Sequence, residues 1–318
     1  MDVLRVTAEE YTSLVLDRRI FFNEPVFCEL NRDKVDEVYY LIFMREKAAK
    51  FGLILGRTGD LVKCPFSASY SYPVEIKKNE KLATYDEAVQ ALENYCISIG
   101  VSEIRFTFPP MFYDEHILSA WISSFYRCNY ELTKIDVNYA IDLEEMNVDV
   151  ESYGQLITAK GRKSLRRAQR NGLTIQKCET EEEYAEAYEI VKMGHEFKGF
   201  PVRMSFEQLM DTMKLVDHDV FIVRNGEIGI VAEFLYRINK EIVQGIYTGT
   251  LPDHAGDNGM NMLTYFTINY YGNLGYKILN KEIATEDSIP NYGLCDFKES
   301  VGCRRSLKYS FKKSFKVN

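Results

Sequence analysis

The sequence predicts an α+β protein whose mixed β-sheets are flanked by helices and arranged in two similar halves. Three observations support this prediction. Runs of β-branched and aromatic residues alternate with segments of helical periodicity, the same order of elements occurs twice, and an acidic polar stretch at 144–150 separates the two occurrences. The 318 residues are enough for two domains of ordinary size. We therefore expect domains at 1–147 and 148–318, each built on a central mixed sheet.

The first half begins with a three-stranded meander in which charged or Gly-containing turns separate the strands. Thr84 and Glu87 form a capping-box pattern that predicts a helix over 84–98, and Gly100 ends that helix. The strands of this half are predicted at 35–44, 51–55, 61–64, 103–108 and 132–143, with a second helix at 114–126.

The second half repeats this order on a similar scale. It opens with a basic helix over 153–170, which Asn171-Gly172 ends. Asn225-Gly226 stands between two apolar runs and predicts a β-hairpin. The other elements are predicted as strands at 173–177, 220–224, 227–236, 241–250, 277–283 and 308–315, and as helices at 181–193 and 260–271.

Charge and composition exclude several classes of protein. The net charge is −8, from 39 basic and 47 acidic residues, so we expect no DNA binding. The sequence has no apolar run of the ~18 residues that a transmembrane helix needs and no secretion signal, which predicts a cytoplasmic protein. The seven cysteines form no CxxC pair and the four histidines no ligand spacing, so we expect free thiols and no metal site.

The segment 160–170 is the most basic part of the chain, with six basic residues among eleven and no acidic one. On a helix, Lys160, Lys163, Arg167 and Arg170 form one stripe, and such a stripe can hold phosphates. The alternative is a solvated face that pairs with the acidic helix at 181–189.

A Gly-bearing segment, 251–260, leads from a predicted strand into a predicted helix. The backbone N–H groups at such a helix start can bind an anion, which makes Gly256 and Gly259 candidate cofactor-binding residues. Their spacing differs from the Arg/Gln-x-x-Gly-x-Gly/Ala pattern of acetyl-CoA enzymes, and Asp253 and Asp257 would repel a pyrophosphate. These departures favour a structural turn.

Two charged residues are candidate catalytic groups. Glu233 lies among apolar residues of a predicted strand and could accept a proton from an amine as a general base. The alternative for Glu233 is a pairing with a residue of the neighbouring strand. Lys298 lies in an aromatic, Gly-punctuated segment before the last strand, which we expect to be a turn, and could stabilise an oxyanion or a phosphate. The alternative for Lys298 is ordinary surface.

Three short segments resemble motifs of the Fem-type peptidoglycan aminoacyltransferases and their GNAT-fold relatives. Arg166-Arg-Ala-Gln-Arg-Asn-Gly-Leu-Thr-Ile175 resembles the family signature R-x-A-x-K-x-G-hydrophobic. Asp296-Phe-Lys-Glu-Ser-Val-Gly302 resembles the motif F-K-x-x-F/h-G near the family's C-terminus, and Phe22-Asn-Glu-Pro-Val-Phe27 resembles F-x-S-P-x-F/W. Because the motifs lie near both ends and at the start of the second half, the resemblance covers the whole chain.

The resemblance implies two tandem GNAT-like domains. Lys298, which follows Phe297, matches the family lysine that helps to bind the donor and to stabilise the acyl carbonyl. The basic helix would lie near a phosphate-bearing ligand. The residues that the resemblance and the charge pattern assign to phosphate or substrate binding are Lys163, Arg166, Arg167, Arg170 and Phe297. The chain departs from the family in lacking the coiled-coil arm of some members, and it also lacks the acetyl-CoA loop pattern.

We therefore expect an acyltransferase that acts on an amine. The acceptor would be a small molecule or a glycan or peptidoglycan precursor of the cell envelope, which implies peripheral contact with a lipid-linked substrate. The donor, acyl-CoA or aminoacyl-tRNA, would bind as a substrate, with no permanently bound cofactor. The acceptor end of tRNA is then a candidate partner.

In the expected reaction, Lys298 and backbone amides stabilise the oxyanion, and Glu233 or a water chain near Tyr247 takes the proton. The alternative hypothesis is a non-catalytic protein of the same fold that binds a nucleotide-sugar or a partner protein.

Overall fold

A computed structural model of the chain describes residues 1–17 and 20–316. Contacts divide the chain into two compact units. The first unit comprises Met1–Val137 together with the chain from Ser306 onward, and the second unit comprises Asn138–Arg305.

The first unit is a mixed sheet with four α-helices in its described part. Its sheet order is β1-β2-β3-β4-β6-β15, with β5 paired to β3, and β4 and β6 are its parallel pair. The strands are β1 (Asp2–Val6), β2 (Glu37–Arg45), β3 (Ala48–Thr58), β4 (Leu61–Cys64), β5 (Val74–Glu75), β6 (Glu103–Thr107) and β15 (Arg304–Ser314). The helices are α1 (Ala8–Leu14), α2 (Pro25–Leu30), α3 (Leu82–Ser98) and α4 (Glu115–Arg127).

Large aromatic side chains form the core of the first unit. The Trp121 ring of α4 meets Phe51 of β3 and Tyr85 of α3 at centroid separations of 4.8 and 4.7 Å. Its indole N–H donates to the carbonyl of Pro73 at 2.8 Å, so the polar edge of the buried ring has a partner. The two helices are thereby held against one face of the sheet.

The second unit repeats the strand order of the first. Its sheet runs β7-β12-β11-β10-β9-β8, and β11 and β12 are its parallel pair. The strands are β7 (Glu131–Asp142), β8 (Thr174–Lys177), β9 (His218–Asn225), β10 (Ile228–Arg237), β11 (Ile242–Thr250), β12 (Ile278–Ile283) and the short pair β13 (Thr285–Glu286) and β14 (Ile289–Pro290). The helices are α5 (Leu143–Met146), α6 (Val150–Leu156), α7 (Ala159–Arg170), α8 (Glu181–Phe197), α9 (Phe206–Met213), α10 (Gly259–Asn273) and α11 (Tyr292–Ser300).

Helices cover both faces of the second sheet. On one face, Phe221 of β9 packs against Phe266 and Tyr270 of α10, at centroid separations of 5.2 Å in both cases. On the other face α8 comes so close to β11 that a Cβ at Gly249 would lie 2.4 Å from the Cα of Val191. These two contacts fix which strand residues face α10 and which face α8.

The structure confirms the predicted α+β class, the meander of the first half and several of the predicted stops. Gly172 follows α7 with φ +68°, and Gly226 turns the β9–β10 hairpin with φ +59°. Gly100 follows α3 with φ +74°. Each of these positions needs the left-handed backbone that glycine adopts at no steric cost.

Three expectations for local structure were wrong. The helix predicted over 153–170 is interrupted at Ile157, whose backbone is extended, and the Thr158 side chain then caps α7. Helix α3 begins at Leu82 with Lys81 at its N-cap, so Thr84 is a buried helical residue and not the cap. The segment that carries Lys298 is the helix α11, capped by the Asn291 side chain, and not a turn.

The last strands of the two halves differ most from expectation. Residues 138–142 of β7 pair with β12 of the second unit, whereas residues 310–314 of β15 pair with β6 of the first. The units therefore part at 137/138 and 305/306, and not at the predicted 147/148. A sequence scan assigns each strand to the half that contains it, because the register between distant strands has no local signal.

The close packing of α8 on β11 makes a testable prediction. Gly249→Ala should lower the free energy of unfolding by ~1–3 kcal/mol, because its Cβ would overlap the backbone of α8. Gly256→Ala is the matched control, since a Cβ there meets nothing within 4 Å in the described part of the chain. Urea unfolding of both variants measures the difference. Wild-type stability of Gly249→Ala would contradict this packing.

Candidate functional site

The second unit contains a pocket of about 300 Å³ at the carboxyl end of β11. The side chains and backbone that line it come from five neighbouring parts of the unit: α7, the end of α8, the segment between β11 and α10, the first turn of α10, and α11. The residues that line the pocket include Lys160, Lys198, Gly259, Asn261, Phe297 and Ser300.

The polar groups in this pocket are suited to an anion. The first turn of α10 presents N–H groups that a helix leaves without internal partners. Lys160 and Lys198 line the pocket and form no ion pair within the described residues. Asn261 is only 7% exposed, and its side-chain amide has no hydrogen-bond partner in residues 1–17 and 20–316. A side-chain amide that lines a pocket and has no partner there can hydrogen-bond a ligand.

The Asp257 carboxylate, in the loop before α10, has two side-chain partners. The carboxylate of Asp257 bonds His254 at 2.8 Å and Asn225 at 3.3 Å. The hydrogen bond from His254 holds the pKa of Asp257 below its ordinary value, and Asn225 and Arg167 act in the same direction. The lowered pKa keeps Asp257 ionised, so its charge still opposes an anion nearby.

The two candidate glycines of this loop differ in their surroundings. A Cβ at Gly259 would lie 2.9 Å from Val231 Cγ2, so the lack of a side chain lets α10 approach the sheet. Gly259 also lines the pocket. A Cβ at Gly256 would meet nothing within 4 Å in the described residues.

The basic helix α7 carries a second, shallower concavity of about 620 Å³. Its lining includes Lys163, Arg166 and Arg170, three of the residues predicted to bind phosphate. The apolar side of α7 is buried through Leu165 and Ala168. A cationic surface therefore adjoins the pocket, because Lys160 of the same helix lines the pocket itself.

The structure does not support the predicted alternative for this helix, pairing with the acidic helix. Helix α7 packs against α10 and α11, whereas α8 packs against β10 and β11 on the opposite face of the sheet. Glu186 of α8 instead pairs with Arg224 of β9 at 2.6 Å. The positive charge of Lys163 and Arg166 remains without an ion pair among the described residues.

Glu233 is fully buried on the face of the sheet that α10 covers. Its Oε1 accepts hydrogen bonds from Lys281 Nζ at 2.5 Å and from Thr248 Oγ1 at 3.2 Å. Its Oε2 has no partner within the described residues. Lys281 is buried as well, with 7% of its side chain exposed. The carboxylate predicted as a general base is therefore one member of a buried ion pair.

Tyr247 lies on the other face of the sheet. It pairs in register with Phe234, the neighbour of Glu233, and its ring meets His195 of α8 at a centroid separation of 6.1 Å. Burial raises the pKa of Tyr247. Since consecutive strand residues point to opposite faces, Glu233 and Tyr247, which the sequence offered as alternative sites of proton removal, lie on opposite faces of the sheet.

Lys298 is 6% exposed and lies in a ring of backbone carbonyls. Its Nζ donates to the carbonyl oxygens of Lys281, Glu282 and Ile283 at 2.7, 2.9 and 2.9 Å. An ammonium has three N–H donors, so all of them are engaged. Its neighbour Phe297 lines the pocket, whereas the Lys298 ammonium contacts the strand β12.

Sequence reasoning missed three residues of this region. Asn261 and Lys198 line the pocket, and Lys281 pairs with Glu233. Asn261 stands three residues into α10, where a polar residue on a buried helix face is a signal that a scan could have used. Lys281 gives no such signal, because its side chain is placed by an irregularity of β12.

No protein-family model matches the sequence, and no curated protein matches it. Solved structures do match. FemX superposes with a TM-score of 0.66 at 11% identity, covering 99% of this chain and 98% of that chain. The C-terminal domain of a putative lysylphosphatidylglycerol synthetase from Agrobacterium fabrum gives a TM-score of 0.62 at 12% identity, covering 96% and 92%.

A tandem GNAT protein from the clavulanic acid biosynthesis pathway also matches, with a TM-score of 0.55 at 9% identity and coverage of 97% of both chains. At these identities the likeness concerns the fold alone. The chain therefore has the fold of FemX and of tandem GNAT proteins. This confirms the predicted fold class and, for the fold, the resemblance read from the motifs.

Within residues 1–17 and 20–316, no helix is both long enough and apolar enough to cross a lipid bilayer.

The burial of Lys298 makes a prediction about its titration. Burial lowers the pKa of Lys298 to about 8. The ¹⁵Nζ shift of Lys298 should therefore titrate near pH 8. The shift of Lys277 should titrate later, because its hydrogen bond to Glu241 raises its pKa. Between about 8 and the ordinary lysine pKa of ~10.4, the unfolded chain binds more protons at this site. The contribution of Lys298 to the free energy of unfolding therefore rises with pH in that window.

Lys298→Met should remove this contribution, and Lys277→Met, at an exposed lysine, serves as its control. Two-dimensional NMR of lysine side chains measures the titration, and urea unfolding between pH 7 and 10 measures the linked stability. A Lys298 shift that titrates above pH 10 would contradict the role of burial.

Proposed function

We propose that this protein is an acyltransferase that moves an acyl or aminoacyl group from an activated, phosphate-bearing donor to an amine. The observation that carries the proposal is the pocket at the carboxyl end of β11. It combines the N-terminus of α10, two cations without ion pairs and the side-chain amide of Asn261, which forms no hydrogen bond within the described residues. This combination is suited to hold the phosphate of a donor while its acyl end reaches the sheet.

The two donor classes would use the cationic surface differently. Acyl-CoA is small, and its phosphates could be held by Lys160, Lys198 and the start of α10. An aminoacyl-tRNA would extend from the pocket along α7, where Lys163, Arg166 and Arg170 could bind further backbone phosphates. A tRNA donor therefore implies binding that weakens steeply with salt, whereas acyl-CoA binding implies a smaller dependence.

The reaction would proceed by attack of the acceptor amine on the donor carbonyl. Much of the rate would come from holding the two substrates in one orientation, with backbone N–H groups stabilising the oxyanion. Lys298, Glu233 and Tyr247 were predicted for oxyanion binding and proton removal. The donors of Lys298 are engaged by carbonyls and Glu233 Oε1 is engaged by Lys281, so neither acts directly without exchanging those bonds.

The acceptor that we propose is an amine of a cell-envelope glycan or peptide precursor. The sequence resemblance supports this class, and the fold neighbour FemX is consistent with it. The neighbour named a putative lysylphosphatidylglycerol synthetase suggests that the same fold can also serve a lipid acceptor. A lipid-linked acceptor would bring the protein into peripheral contact with a membrane surface.

A specific observation favours a second candidate function. Because Glu233 is fully buried and the ammonium of Lys298 has no free donor, the chain could bind a phosphate-bearing ligand without reacting with it. Such a non-catalytic protein would hold a nucleotide-sugar or a partner protein. Binding of a donor that is never consumed, over a panel of amino-sugar and peptide amines, would favour this candidate.

Calorimetric titration with coenzyme A tests the pocket. Wild-type protein should bind at micromolar concentration. Asn261→Ala and Lys160→Glu should each weaken binding by about tenfold, which is ~1.4 kcal/mol, because each removes a polar contact to the ligand. Asn269→Ala is the matched control on the same helix. The Asn269 amide bonds the Tyr265 carbonyl within α10, so affinity should stay within about twofold.

Lys163→Glu separates the two donors. It should leave coenzyme A binding nearly unchanged, because Lys163 lines the concavity of α7 and not the pocket. The same change should weaken the binding of charged tRNA and reduce its dependence on salt. If coenzyme A and charged tRNA both fail to bind the wild-type protein, the proposed donor site is wrong.

A further inference from the structure

The ring of carbonyls around Lys298 coincides with an irregularity in β12. Three consecutive residues, 281–283, turn their carbonyl oxygens toward one ammonium, which a regular strand does not do because successive carbonyls alternate. The middle residue, Glu282, has φ +62°. The register between β12 and β7 shifts at the same place, between Asn280 and Ile283. The ammonium thus stabilises a bulge that a non-glycine residue would otherwise disfavour.

This bulge lies where β11 and β12 cease to pair. The two strands are joined in parallel over three residues only, Ile242–Gln244 with Ile278–Asn280, although β11 continues to Thr250. Past this point the two strands are linked through side chains. Gln244 Nε2 donates to Glu282 Oε1 at 2.6 Å.

The bulge also orients the side chain of Lys281 toward β10. Its ammonium reaches Glu233 of β10 at 2.5 Å, across the position of β11, and both side chains are buried. A buried ion pair of this kind costs desolvation and depends on good geometry, so the backbone that presents Lys281 must be held in place. The three hydrogen bonds from Lys298 are accepted by the carbonyls of residues 281–283, which are the residues that position the Lys281 side chain.

We infer that Lys298 is a positioning residue: its ammonium holds the bulge at 281–283 and thereby places Lys281 against Glu233 at the opening between β11 and β12. Lys281, and not Lys298, is then the cation that lies at that opening. The functional meaning of this arrangement rests on the proposed acyltransferase, whose pocket is lined by Phe297, the neighbour of Lys298 in α11. The arrangement itself is a property of the folded chain and can be tested without any donor.

NMR of the full chain labelled with ¹⁵N-lysine tests the inference directly. Ammonium groups that are buried and hydrogen-bonded exchange slowly enough to be observed at low temperature, so Lys281 and Lys298 should both give signals. Lys281→Met should remove the Lys281 signal and leave the Lys298 signal, because the Lys298 ammonium donates to backbone carbonyls and not to the Lys281 side chain. Lys298→Met should remove both signals. Lys277→Met, at an exposed lysine paired with Glu241, should remove neither.

Two outcomes would overturn the inference. One is a folded Lys298→Met protein whose Lys281 signal stays at its wild-type position. The second outcome is measured with variants of Lys281 and Glu233, so it remains a valid test if Lys298→Met fails to fold. If Lys281→Met or Glu233→Gln abolishes the Lys298 signal, the carbonyl ring depends on the ion pair and not the reverse. The spectra are recorded without donor or acceptor, so failed coenzyme A binding would leave this result standing.

Discussion

The second unit is organised by the limited pairing of its two parallel strands. β11 and β12 share three residues of register, and the remainder of β11 has no backbone partner in β12. Three features lie where these two strands separate. The carboxyl end of β11 leads into α10 and the pocket, the bulge of β12 turns Lys281 toward Glu233, and Lys298 of α11 holds that bulge. The pocket and the buried charges thus both lie at one interruption in the sheet.

The cations of α7 line two neighbouring concavities. Lys160 lines the pocket, whereas Lys163, Arg166 and Arg170 line the open concavity of α7, and all four side chains are exposed. The pocket also presents the start of α10, which favours a compact phosphate group there. Exposed arginines favour an extended polyanion whose binding depends on salt. In the acyltransferase that we propose, the same helix could therefore serve both donor classes, and the variants that weaken binding would identify the donor.

The sequence was sufficient to predict those features of the fold that have a local physical cause. The hairpin at Asn225-Gly226 and the basic face of α7 follow from turn chemistry and helical periodicity, and both are present. The sequence could not reveal the pairing of residues 310–314 with β6 or the bulge at 281–283, because these depend on distant contacts. Lys298 was identified as important from its motif. Its carbonyl partners were beyond sequence reasoning, since they exist only in the folded β12.

The most direct test of the central claim is a crystal structure of the protein with coenzyme A bound. We expect the pyrophosphate at the start of α10, within hydrogen-bond distance of the Asn261 amide and near Lys160. The thiol arm should point toward the place where β11 and β12 separate. Coenzyme A bound only along the open face of α7, or bound at a site in the first unit, would contradict the account.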